Sequence, residues 1–262
     1  MSFESEAGWQ LHPLEGATGK AYMGTKDEQK LFLKKNTSPF LAALSLEGIS
    51  PRLVWTKRMG NGDVLTAQEW CNGRTLERTE MSSPRVAKKL SQVHRSQTLK
   101  KMLHRVEGRK LTSTDLLNQF LIGLVDDLRS HPTIVHALKR LQILKKQLPL
   151  DSEVSVCHGD ASHKNWLLSD TDDLYLVDWD SVILADPAYD LGQYLSRYGS
   201  HLDIDQWLSH YSGIVSTRFK EKVLWYQVMA TLNDIKEYYY KQRLIDLNES
   251  LTALDVLLRQ FN

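Results

Sequence analysis

Along the first 75 residues, apolar and polar positions change over in short stretches broken by turn residues, a pattern of extended strands. Gly16-Ala17-Thr18-Gly19 and Gly24 interrupt the earliest runs, Leu31-Phe32-Leu33 leads into Lys34-Lys35, and Gly60-Asn61-Gly62-Asp63 precedes the apolar run 64–70. Asn-Gly and Gly-Asp between apolar runs are hairpin signals, so a small, mostly antiparallel sheet is predicted. One short helix is predicted over 39–46. Ser38 caps it, Pro39 takes the first helical position, and Gly48 stops it.

After Gly73 the apolar spacing lengthens to helical intervals. Ser83-Pro84 opens a helix with Val86, Leu90, Val93 and His94 on one face; Leu116, Phe120 and Leu124, then Ile134, Leu138, Leu141 and Leu144, then Tyr226, Met229, Leu232 and Ile235 repeat the pattern. The exception is 153–181, where Val154, Val156, Leu167, Leu168, Leu174, Leu176 and Val177 form short extended runs around Ser169-Asp170-Thr171-Asp172-Asp173. That predicts a hairpin inside a helical region. No repeat of solenoid or propeller period appears.

A chain of 262 residues, 42% hydrophobic and 25% charged, has enough apolar surface to fold alone, as one large domain or two unequal lobes meeting at a cleft. Apolar runs reach about six residues, far short of the roughly 20 that cross a bilayer. The start, Met1-Ser2-Phe3-Glu4-Ser5-Glu6, lacks the features of a secretory signal, and Cys71 and Cys157 are too few for a disulfide framework, so a cytoplasmic protein is expected. The net charge of +1 hides an asymmetry: residues 1–150 hold 24 Lys/Arg against 14 Asp/Glu, and residues 151–262 hold 9 against 18. The first part suits an anion, the second metal cations. Between Arg85 and Lys110 nine basic residues face only Glu107, either a solvated helix surface or a patch for an acidic partner.

The densest group of reactive side chains is His158-Gly159-Asp160, then Asn165, then Asp178. An extended run ending at His158 releases a loop over 160–165, and the hairpin returns Asp178 beside it. A carboxylate, an amide oxygen and a second carboxylate supply hard oxygen ligands and a proton acceptor. Mg²⁺ with a phosphate ester suits them better than zinc, since only His158 and His163 offer softer donors nearby.

These residues, with Val177-Asp178-Trp179-Asp180 downstream, resemble the aminoglycoside phosphotransferase and choline kinase-like family, relatives of the protein kinases. The resemblance runs from Gly16 to about Tyr198. It implies a two-lobe, protein-kinase-like α+β fold: an antiparallel-sheet nucleotide-binding lobe over 1–70 and a mainly helical catalytic and acceptor-binding lobe over 71–262, with ATP and Mg²⁺ as cofactors. Asp160 looks like the catalytic Asp that takes the proton of the attacking hydroxyl, and Asn165 and Asp178 like the two metal ligands. Asp180 is similar to a further acid often present there. In Asp186-Pro187-Ala188-Tyr189-Asp190-Leu191, Asp190 is read as a loop brace or a helix-start cap rather than a group touching the reactants; His158 is read as structural, and His163 and Lys164 as phosphate or acceptor contacts or solvent-exposed.

Leu31-Phe32-Leu33-Lys34 resembles the strand whose Lys holds the α and β phosphates, with Lys34 favoured over Lys35, and the loop of Gly16 and Gly19 resembles the cover over them. Gln68-Glu69-Trp70-Cys71 falls where the family joins its lobes, so backbone at Glu69 and Cys71 would bind adenine; Trp70 serves there or in the core. The helix 38–46 holds no acid, leaving Glu47 as the partner of Lys34 or no such pair.

The run 32–44 with Val54-Trp55-Thr56 looks like the YtmP/CcrZ kinases of Gram-positive bacteria. That implies a ribose-type sugar or nucleoside as the hydroxyl acceptor, a role linking cell division to DNA replication, and a division-protein partner at the division site. Seven residues separate Asp178 from Asp186, little platform for a protein acceptor. The aromatics Trp225, Tyr226, Tyr238, Tyr239 and Tyr240 either stack on a base or sugar or fill the core. Two alternatives stand beside this reading: an aminoglycoside- or choline-type kinase, drawn by the acidic second part, and a catalytically idle scaffold docking an acidic division protein through the basic segment. No membrane or nucleic-acid partner is expected.

Overall fold

The computed structural model describes residues 9–14, 21–36 and 38–261. Gly16 and Gly19 lie outside the described residues, as does the start of the chain. The chain forms two compact units, Met1–Leu76 with Lys101–Glu107 and His163–Trp179, and Glu77–Lys100 with Gly108–Ser162 and Asp180–Asn262.

The first unit is built on an antiparallel sheet of order β1-β2-β3-β5-β4, from β1 (Gln10–Pro13), β2 (Ala21–Lys26), β3 (Gln29–Lys35), β4 (Leu53–Arg58) and β5 (Val64–Glu69). Alternation along β3 puts Leu31 and Leu33 into a core with Trp9, Leu65 and Ala67, and leaves Lys34 on the opposite face. The β4–β5 turn is the Asn-Gly hairpin expected from sequence, closed by the Met59 N–H on the Asp63 carbonyl at 2.7 Å. Gly24 does not interrupt a strand but lies within β2. A Cβ there would come within 2.5 Å of Leu33 Cδ1 and 3.2 Å of the Trp9 ring, so packing, not a turn, requires glycine.

Helix α1 (Phe40–Leu46) starts one residue later than predicted. Pro39 is its N-cap, and the Ser38 hydroxyl accepts from the Phe40 N–H at 3.2 Å. It ends where Gly48 turns left-handed, with the Ile49 N–H on the Leu44 carbonyl.

The predicted hairpin is present as β8 (Trp166–Ser169) and β9 (Leu174–Leu176), but it belongs with the first unit and not with the helical one. β8 also pairs with β6 (Gly73–Thr75), the Leu176 N–H donates to the Ile49 carbonyl at 2.9 Å, and the Trp179 ring meets Phe40 edge-on at 5.8 Å. With these ladder bonds the first unit extends to Leu76 and takes in 163–179.

The second unit is mostly helical. Helix α2 (Pro84–Arg95) opens on Ser83, whose hydroxyl accepts from the Arg85 N–H, and α3 (Gln97–Arg105) follows it, its residues from Lys101 on belonging to the first unit. Then come α4 (Ser113–Leu121), α5 (Asp126–Ser130), α6 (Pro132–Lys145), α7 (Ala188–Tyr198), α8 (Ile204–Ser212), α9 (Thr217–Tyr240) and α10 (Leu244–Leu258). Leu124 falls beyond the end of α4. Helix α9 packs on α7 and α10 with Val223, Trp225, Tyr226, Met229, Leu232 and Ile235 buried, each contributing about 1.5–3 kcal/mol by leaving water. Strands β7 (Ser155–Cys157) and β10 (Ile183–Ala185) pair antiparallel beside α2. No helix among the described residues is long and apolar enough to cross a membrane.

Candidate active site

In the first unit three predicted residues come together. The β8–β9 ladder sets Trp166 opposite Leu176, and the next rung is the Val177 N–H on the Asn165 carbonyl at 2.9 Å. This puts Asn165 next to the residue that precedes Asp178. Asp178 then turns left-handed at φ 61° and leaves the strand, half exposed. Lys34, on the face of β3 away from the core, donates to Asp178 Oδ1 at 3.1 Å. Lys35 instead lies over the Tyr22 ring at 5.3 Å, so alternation selects Lys34 as the cation that meets the carboxylate. Amide and carboxylate oxygens with an ammonium close by form a donor set that fits a hard divalent cation and the anion it carries.

In the second unit the loop after β7 is held from beneath. Asp190, buried near the start of α7, accepts from the backbone N–H groups of His158 at 2.7 Å and Gly159 at 3.0 Å. Its Oδ2 also lies 3.0 Å from His94 Nε2 of α2, whose Nδ1 is 2.8 Å from the Tyr211 hydroxyl. Burial alone would raise the Asp190 carboxyl; the hydrogen bond and charge of His94, with the Gly159 N–H, outweigh burial and hold it below the ordinary carboxylate value. Asp190 is thus a loop brace. His158 is fully buried, and its Nδ1 accepts from the Asp160 N–H at 3.2 Å, a shaping role.

The bend needs glycine at 159. Its φ is +82°, and a Cβ would stand 2.4 Å from the Ser181 carbonyl oxygen. Gly159→Ala is expected to cost about 1–3 kcal/mol by combining left-handed strain with a backbone clash. Thermal unfolding checks this, and an unchanged midpoint would show that the loop relaxes freely.

Asp160 itself is partly exposed and pairs with Arg197 of α7, Nη1 to Oδ1 at 2.6 Å. Burial opposes the charge on Arg197, and the hydrogen bond and attraction of Asp160 outweigh it, raising the guanidinium further. Sequence reasoning missed Arg197 and the partner of Asp190, His94. The signal for Arg197 was its spacing of seven from Asp190, which puts both on one helix face. A second buried group, Lys222 with Asp186 at 2.8 Å, links α9 to the segment before α7, and Asp186 also accepts from the Asp151 and Ala188 N–H groups.

The remaining sequence-predicted residues are placed as follows. The Glu69 N–H donates to the Arg52 carbonyl at 2.8 Å and its carboxylate pairs with the Arg52 guanidinium, so that N–H is engaged within the sheet. Trp70 is half-buried, with Nε1 on Asn72 Oδ1 at 3.1 Å. Cys71 is half-buried and Cys157 fully buried; burial raises both thiols, with Asp170 and Asp173 adding to the effect at Cys71. Lys164 and Asp180 are exposed and His163 half-buried. Of the late aromatics Trp225 and Tyr226 are core, Tyr238 and Tyr239 half-buried, and Tyr240 exposed.

The sequence model described as "Phosphotransferase enzyme family" matches residues 18–213. Among solved structures, choline kinase LicA from Streptococcus pneumoniae is similar at 16% identity, covering 98% of this chain and 96% of that one, with a TM-score of 0.64. The GDP complex of aminoglycoside 2'-phosphotransferase-IIIa is similar at 15% identity over 98% and 95%, TM-score 0.67. A thermostable mutant of aminoglycoside phosphotransferase APH(4)-Ia, in a ternary complex with ADP and hygromycin B, is similar at 13% identity over 96% and 94%, TM-score 0.64. What these structures share with this chain is the kinase-like fold.

Proposed function

Since the chain belongs to the phosphotransferase enzyme family, we propose that it is an ATP- and Mg²⁺-dependent kinase that moves the γ-phosphoryl group to a hydroxyl of a small molecule. The observation that carries this reading is the Lys34–Asp178 contact at the hairpin end, beside Asn165. Asn165 and Asp178 would hold the metal and Lys34 would pair with the nucleotide phosphates. When bound, the magnesium nucleotide supplies the phosphoryl group and offsets its charge. Asp160 takes the proton of the attacking hydroxyl and orients its oxygen, while Asp190 and His158 keep the loop in register for it. Positioning and charge stabilisation account for most of the catalysis in this class of reaction.

The acceptor in this reading is a ribose-type sugar or a nucleoside, supported by the likeness of the run 32–44 and Val54-Trp55-Thr56 to the YtmP/CcrZ kinases and by the short stretch between Asp178 and Asp186. The same likeness supports a cytoplasmic role in coordinating division with replication. A choline- or aminoglycoside-type acceptor is the second reading, favoured by the structural neighbours and by the acidic balance after residue 150.

Calorimetric titration tests the nucleotide half. Wild-type protein is expected to bind ATP with Mg²⁺ present and to lose about tenfold or more in affinity with EDTA or in Asp178→Ala, since a carboxylate–metal contact is a charge-assisted one. Equal affinity in Asp178→Ala and wild type would contradict the metal assignment.

A further inference from the structure

We infer that Arg197 is an acceptor-binding, specificity-determining residue, whose guanidinium presents its spare N–H donors to an oxygen of the acceptor next to the hydroxyl that Asp160 deprotonates. The inference rests on the kinase reading above and names its acceptor class, a neutral polyhydroxyl molecule with adjacent oxygens.

The geometry within the second unit carries it. One helix, α7, holds both parts of the loop: Asp190 grips the backbone at His158 and Gly159, and Arg197, seven residues on along the same face, meets the Asp160 carboxylate at 2.6 Å. Unlike the closed Lys222–Asp186 pair, with side chains 6% and 0% exposed, the Arg197 and Asp160 side chains are 35% and 43% exposed and open to a ligand. A guanidinium carries five N–H donors in a planar fork. Among the described residues Asp160 is the acceptor that the Arg197 side chain meets, through Nη1. Asp234, held by the Ser196 hydroxyl at 3.2 Å, favours its charge from farther away.

A guanidinium with N–H donors left over from its bond to Asp160 and open to a ligand favours lone pairs. Of two neighbouring hydroxyls, one donates its proton to Asp160 while the other accepts from Arg197. An ammonium or trimethylammonium group brings no lone pair and places like charge against the guanidinium. The fork therefore selects a vicinal diol against choline or an aminoglycoside amine.

The test uses the full chain with ATP and Mg²⁺, D-ribose, 2-deoxyribose, uridine and choline as acceptors, and wild type, Arg197→Met and Arg197→Lys as proteins. Wild type is expected to phosphorylate at least one polyol and not choline. Arg197→Met should raise KM for that polyol about 10- to 100-fold, with ATP affinity held within about twofold by titration, and Arg197→Lys should recover part of the loss. A structural role would not split acceptor KM from ATP affinity in this way. An unchanged polyol KM in Arg197→Met, preference of wild type for choline, or ATP binding without transfer to any polyol would each overturn the inference while leaving nucleotide binding in place. If Arg197→Met does not fold, Arg197→Lys decides, with an unchanged polyol KM again overturning it. Failure of wild type to bind ATP would remove the kinase reading itself.

Discussion

Asp160→Asn is expected to lower kcat for phosphoryl transfer by about 10²- to 10⁴-fold, the usual contribution of a positioned general base. The amide keeps the size of the carboxylate and an oxygen that can still accept from Arg197 Nη1, so the 2.6 Å contact and the loop survive. His158 and Gly159 remain bound to Asp190, because their hydrogen bonds use backbone N–H groups that the substitution does not touch. ATP affinity and thermal midpoint should therefore match wild type while turnover falls. A kcat within about threefold of wild type, less than 1 kcal/mol of barrier, would take Asp160 out of the chemistry.

Asp190→Ala is expected to destabilise the protein by about 3–5 kcal/mol, the range for removing one partner from a buried, charged hydrogen-bond network. The change leaves two backbone N–H groups and His94 without their buried acceptor. For a chain of this size that corresponds to a fall in thermal midpoint on the order of 10 °C. The pH dependence follows from the sign of the shift. The folded-state carboxyl lies below its ordinary value of about 3.9, so its contribution is fully present above that pH and is lost as pH falls through the depressed value. Wild type should lose stability on acidification through that window, and Asp190→Ala should show less of the loss. Parallel acid-unfolding curves for the two proteins would show that Asp190 is not held ionised.

Much of this was legible from residue pattern. The polar turn Ser169-Asp170-Thr171-Asp172-Asp173 between extended runs marked the β8–β9 hairpin, and the resemblance of Leu31-Phe32-Leu33-Lys34 to the family's strand favoured Lys34 over Lys35. Where the hairpin packs was not legible. Its partner β6 is three residues of Gly-Arg-Thr, all exposed, too short to show a period, and the Leu176–Ile49 bond joins residues 127 apart that share no local signal. β10 escaped notice for the same reason, a three-residue apolar run before a proline. His94 was placed on the buried face of α2 by its spacing, but a period identifies a face and not a partner. Its pairing with Asp190 depends on how helices 96 residues apart are packed. Arg197 stands in the last turn of α7, where the macrodipole favours a basic residue, and only the fold shows that this position meets Asp160.

Phosphorus NMR of the purified protein with ATP, Mg²⁺ and D-ribose tests the central claim most directly. Growth of a phosphomonoester resonance with ADP, present in wild type and lost in Asp160→Asn, is the result predicted. Intact ATP, or release of orthophosphate alone with every polyol acceptor supplied, would contradict transfer to a small-molecule hydroxyl.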